Sequence, residues 1–160
     1  MRLFTRRNVV LMLAAFPLGI LAGVWYTREP TVVLTRDTLA AARSHWRAAG
    51  VASYELSYDM HGSAYRIVWR NGRVEDASVN GQPPTSGDWR AYSVEGVFDT
   101  LEQELDNVAD AAGAYAGRDD VVMMRVRFHP KLGYVERYLR GGGGIGRGAT
   151  IENVQLRKIE

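Results

Sequence analysis

Residues 54–79 read YELSYDMHGSAYRIVWRNGRVEDASV, and the fold class follows from them. In Tyr54–Met60, the residues Tyr54, Leu56, Tyr58 and Met60 alternate with Glu55, Ser57 and Asp59. That is the period-two pattern of a strand with one buried face. Tyr65–Arg70 and Arg73–Val79 flank Asn71-Gly72. This dipeptide accepts positive φ at both positions, so it predicts a two-residue type I′ hairpin. Three consecutive strands joined by short turns predict antiparallel pairing.

Working outward, Leu39, Ala42, Trp46 and Ala49 recur at helical spacing, with Asp37 as the expected N-cap and Gly50 as a left-handed stop. Residues 80–91 read as a loop. Ser93 is the expected cap of a second helix whose apolar stripe is Val94, Val97, Phe98, Leu101, Leu105 and Val108, and Tyr92 with Val97 has the spacing of a hydrophobic staple. The segment Gly113–Gly117 should end it. Val122–Phe128 alternates as a strand, His129–Gly133 turns it into Tyr134–Arg140, and Thr150–Lys158 forms the last strand. The predicted order is helix, three strands, helix, three strands. No parallel crossover is required, so the expectation is an α+β domain, a largely antiparallel sheet with two helices packed on one face.

A membrane helix is expected before this domain. Arg2, Arg6 and Arg7 precede the uncharged run Val9–Tyr26, and Arg28, Glu29 and Pro30 close it. Eighteen residues of helix span roughly 27 Å, close to a hydrocarbon core of about 30 Å. The arginines should stay cytoplasmic, which puts the C-terminal domain in the periplasm of a bacterial cell, single-pass on the cytoplasmic membrane. The expected boundaries are 1–29 for a signal anchor or signal peptide, 30–36 for a linker and 37–160 for the α+β domain. If the signal is cleaved, the product is an exported soluble form. Ala22-Gly23-Val24 is a poor cleavage site, and Trp25-Tyr26 suits an interfacial belt, so an anchor is favoured. Thr5–Val10 fits a twin-arginine signal only loosely. The chain has no cysteine, which excludes lipid-modified cysteine, disulfides and thiol chemistry.

The basic pI belongs to the N-terminal segment. Residues 31–160 carry 16 bases against 17 acids, a net of −1, and a nucleic-acid partner loses its electrostatic support. Charge is still uneven: residues 93–120 carry eight acids and one base, and residues 121–160 eight bases and three acids. Either a bipolar surface orients a partner, or the two segments neutralise each other or meet solvent.

The glycine tract Gly141–Gly148 lacks both a following helix and a Gly-Lys-Ser/Thr sequence, so it reads as an inter-strand loop and not a phosphate cradle. His45, His61 and His129 have no spacing that converges on a metal, and no metal or cofactor is expected. His129 before Pro130 would cap the turn or meet a ligand. Asp119-Asp120 reads as a solvated turn. Glu95, Asp99, Glu102 and Asp106 read as a wet helix face unless a cleft buries them. Arg125, Arg127, Tyr134, Arg137 and Tyr138 make a basic and aromatic hairpin, suited either to binding a partner or to cross-strand packing.

Ser93-Val94-Glu95-Gly96-Val97-Phe98-Asp99-Thr100-Leu101 and His129-Pro130-Lys131-Leu132-Gly133-Tyr134 resemble two signature blocks of a bacterial family catalogued as domain of unknown function 6174. Trp46, the Tyr54 strand and the Asn71-Gly72 hairpin are similar too, and the resemblance covers roughly residues 36–157. It implies an exported protein, often a lipoprotein in that family, and carries no established activity. The chain departs from the family in lacking cysteines and in placing His129 where an aspartate before the proline is common.

The expected function is a noncatalytic, membrane-tethered binding module of the cell envelope. It would be held by residues 9–26 and would meet an envelope protein or a small-molecule ligand. The alternative is a hydrolase-like envelope enzyme using His129 with a carboxylate from the second helix. Oligomeric state is left open.

Overall fold

The computed structural model describes residues 31–85, 87–114, 123–141 and 150–159, with backbone alone for 110–114. The apolar run 9–26, Asp119-Asp120 and all but the first residue of the glycine tract lie outside the described residues. Among those described, no helix is long and apolar enough to cross a membrane.

The elements are β1 (Val32–Val33), α1 (Arg36–Ala48), β2 (Ser53–Met60), β3 (Ser63–Arg70), β4 (Arg73–Val79), a 3-10 turn (Trp89–Tyr92), α2 (Val94–Ala114), β5 (Met123–Phe128), β6 (Val135–Gly141) and β7 (Thr150–Lys158). All seven strands form one antiparallel sheet in the order β1-β5-β6-β7-β2-β3-β4. The α+β architecture with two helices is as expected. The element order differs, because the segment read as a linker contributes β1, which pairs with β5 through Val32↔Val126 and Val33↔Arg125. Strand β7 lies between β6 and β2 and thereby joins the two three-stranded halves.

The turns show why these strands form. Asn71 and Gly72 have φ of 49° and 82°, as a type I′ hairpin needs. His61-Gly62 repeats that geometry between β2 and β3. Helix α1 is capped by Thr35, not Asp37: Thr35 Oγ1 accepts from Thr38 N–H while Thr38 Oγ1 accepts from Thr35 N–H. Gly50 follows with φ 58° and stops the helix. Ser93, fully buried, caps α2 by accepting from Gly96 N–H at 3.2 Å and donating to Arg90 O at 2.7 Å.

One core joins both helices to one face of the sheet. Leu39, Ala42 and Trp46 of α1 and Val94, Val97, Phe98 and Leu101 of α2 pack with Tyr54, Leu56, Tyr58, Met124, Val126, Tyr138 and Ile151. Each of the larger aliphatic side chains and Phe98 contributes roughly 1.5–3 kcal/mol of transfer free energy. The opposite face of the sheet carries no helix among the described residues.

Candidate functional site: an open charged sheet face and an arginine groove

Because side chains alternate along a strand, the β5–β6 hairpin divides between the two faces. Tyr134 and Tyr138 are 6% and 3% exposed and belong to the core. They are therefore not surface contacts beside Arg125, Arg127 and Arg137. Tyr134 meets Trp46 edge-on at 6.5 Å and stacks on the His129 ring at 4.8 Å. Burial pushes the Tyr138 phenol up to about 12, helped by Glu104. The Tyr138 hydroxyl is buried with no hydrogen-bond partner among the described residues.

The three arginines lie on the open face, each with neighbours. Arg125 donates from Nε to Thr31 Oγ1 at 2.8 Å and from Nη2 to Thr31 O at 2.7 Å. Arg127 Nε donates to Glu136 Oε2 at 2.9 Å. Arg137 and Glu152 approach only to 3.5 Å and are both about two-fifths exposed, a loose pair. Farther across the sheet, Glu55 accepts from Arg157 and from Arg66, and Arg66 also reaches Asp76 at 2.8 Å. Arg70 pairs with Glu75. The Glu55 carboxyl is held below its usual range by the Arg157 bond first and the Arg66 bond second. The face is thus a row of cross-strand ion pairs that water still reaches.

Several helix charges are paired. Arg43 of α1 pairs with Asp99 and with Glu102, and Arg36 pairs with Asp106 at 2.6 Å. Arg140 of β6 reaches Glu104 at 2.8 Å. Asp99, Glu102, Glu104 and Asp106, four of the eight acids in residues 93–120, thus each face an arginine. Between α1 and α2 lies a groove of about 340 Å³, lined by Arg36, Arg43, Ser44, Arg47, Glu102 and the apolar Leu39 and Leu105. Its size falls in the range of small-ligand pockets. Spacing along α1 alone puts Arg36, Arg43 and Arg47 on one helix face, but the second wall, Glu102 and Leu105, comes from α2 and is not visible in that spacing.

His129 closes a turn. Its Nδ1 accepts from Lys131 N–H at 3.2 Å and Leu132 N–H at 3.1 Å, and its backbone binds Tyr134 O and Gly133 N–H, both at 2.8 Å. Among the described residues it has no carboxylate partner, and no group of three or more His, Asp or Glu is placed to hold a metal ion. His45 is exposed on α1, and His61 sits at the β2–β3 turn with φ 53°. An aspartate before Pro130 would meet the same two amides, which gives the position a structural purpose in either form.

Comparison of the chain with protein-family models, with curated proteins and with solved structures finds no match.

Proposed function

We propose that this chain is a noncatalytic binding module of the bacterial cell envelope, tethered to the cytoplasmic membrane by residues 9–26 with its α+β domain on the periplasmic side. The observation that carries the reading is the uncovered sheet face, where Arg137 and Glu152 sit 3.5 Å apart and half-exposed, ready to exchange each other for a partner's charges. The partner is an envelope protein, met through Arg125, Arg127 and Arg137. The resemblance to domain of unknown function 6174, carried by residues 93–101 and 129–134, points to the same exported setting. The enzyme alternative draws less support, because His129 spends its Nδ1 lone pair on two backbone amides.

A second reading rests on the groove between the helices: Arg47 has no ion-pair partner among the described residues and lines its wall beside Ser44. A small anionic ligand would meet that end. Photo-crosslinking in cells separates the two. A crosslinking side chain at position 137 should give a discrete protein adduct that Arg127→Glu abolishes, while one at position 47 should give none. The reverse pattern, or an adduct indifferent to Arg127→Glu, would overturn the open-face assignment.

A further inference from the structure

All three large apolar side chains that the described residues leave well exposed lie at one edge of the sheet: Val32 at 48%, Val33 at 56% and Met123 at 53%. Scattered singly, such residues need no explanation, but clustered ones mark a contact surface. The two valines are β1, the terminal strand of the sheet, and Met123 opens the neighbouring β5. Val33 lies opposite Arg125 and so shares the open face with Met123, two residues before Arg125, whereas Val32 lies on the other face, opposite Val126. The apolar patch therefore wraps around the edge itself.

The chain is fastened at this edge. Arg125 grips both the hydroxyl and the carbonyl of Thr31, and Leu34 N–H donates to Met124 O at 2.9 Å. The fold thus begins at Thr31, with residues 27–30 alone separating it from Tyr26, the last residue of the apolar run. Five extended residue steps reach at most about 17 Å.

We propose that the β1–β5 edge is a lipid-docking surface, with Val32, Val33 and Met123 resting in the headgroup region of the membrane that the chain is tethered to. The proposal rests on the tether read above. Depth follows from the backbone. Leu34 points its N–H into the sheet, so alternation turns the N–H and C=O of Val33 outward. Unpaired peptide groups are excluded from hydrocarbon but are satisfied at the wet interface. Three half-exposed side chains bind weakly alone, but the tether makes the encounter intramolecular, so a weak contact suffices. Strand addition by a second copy is the poorer fit, because a two-residue edge offers one outward-facing residue to pair with.

The absence of native cysteine makes single-cysteine spin labelling of the full chain direct. The chain is reconstituted in phosphatidylcholine–phosphatidylglycerol vesicles with a nitroxide at position 33, 123 or 73, the last on β4 at the far edge. Labels at 33 and 123 should show oxygen access raised over that of a water-soluble nickel chelate, as at headgroup depth, while the label at 73 reads as aqueous. Aqueous readings at 33 and 123 in a chain that floats with the vesicles would overturn the docking and leave the tether standing. A chain that fails to float would overturn both. Strong dipolar broadening between labels at 33 would assign the edge to a second copy and overturn the lipid as occupant.

Discussion

On the helix-covered face of the sheet, Tyr54, Leu56 and Ile67 are at most 2% exposed, whereas on the opposite face every strand from β5 across to β4 carries a charged side chain in a cross-strand pair. The covered face holds few polar atoms, and those of Tyr54, Tyr58 and Ser93 are held by hydrogen bonds to backbone around the start of the second helix. The open face holds many, and water stands ready to replace any one of them. Substitutions on the first should therefore cost stability, and those on the second should cost little stability and leave room for binding.

The largest effect separates two glycines with the same backbone. Gly133 and Gly72 have φ of 80° and 82°. A Cβ on Gly72 would meet open space, while one on Gly133 would come 2.4 Å from Ala42 O. Gly72→Ala should cost roughly 1–2 kcal/mol for the left-handed conformation alone. Gly133→Ala should cost about 1–3 kcal/mol more, because the turn must back away from α1. Urea unfolding of the two variants measures the difference. Equal losses would mean that α1 is not seated tightly against this turn, and the covered face would lose its claim to be the rigid one. Gly96 is under the same constraint, with a Cβ placed 2.3 Å from Arg90 O. Residues 93–101 and 129–134 thus each contain a glycine required by close packing.

A smaller effect tests a single polar atom on the covered face. The Tyr54 hydroxyl accepts from Val94 N–H at 3.1 Å, at the first turn of α2. Tyr54→Phe leaves that buried donor unpaired, at about 1–3 kcal/mol. Burial pushes the Tyr54 phenol from 10 up to about 12. The neutral phenol is favoured in the fold, so its contribution is complete below the unfolded value near pH 10 and is lost as pH rises through about 12. Denaturation at pH 7 and at pH 11 should therefore show the alkaline loss reduced in Tyr54→Phe. An unchanged alkaline loss would assign it to the other buried tyrosines.

The sequence made the covered face legible wherever a short-range rule governs it. The stripes of α1 and α2, the Ser93 cap and the Asn71-Gly72 turn need only local spacing, and all appear as read. Strand β1 was missed because two residues, Val32-Val33, cannot display a period. The first cap was displaced from Thr35 to Asp37 because the reciprocal partner is Thr38, not the glutamate that marks the usual capping box. Tyr138 does not belong with the arginines, because the period-two alternation of β6 already puts it on the face opposite Arg137, while Tyr134 lies in the turn before β6, where no period applies. The groove beside Arg47 was out of reach, since its walls come from two helices that local spacing cannot bring together.

The smallest effect belongs to the open face and is read through pH. Glu55, with about a fifth of its side chain exposed, accepts from Arg157 and Arg66 together, and these bonds depress its pKa below 4.5. A depressed carboxyl contributes stability that is present above its unfolded pKa and is lost as pH falls through the folded value. Glu55→Gln should cost about 0.5–1 kcal/mol at pH 7, the scale of a water-accessible pair with more than one partner. The gap between wild type and Glu55→Gln should close as pH is lowered below 4.5 and through the depressed folded value, because protonation leaves the wild-type side chain as uncharged as glutamine. It should also shrink with added salt, because the pairs are reached by solvent. A gap that persists at low pH and high salt would show Glu55 acting through packing instead of charge, and the open face would then be built by the same rules as the covered one.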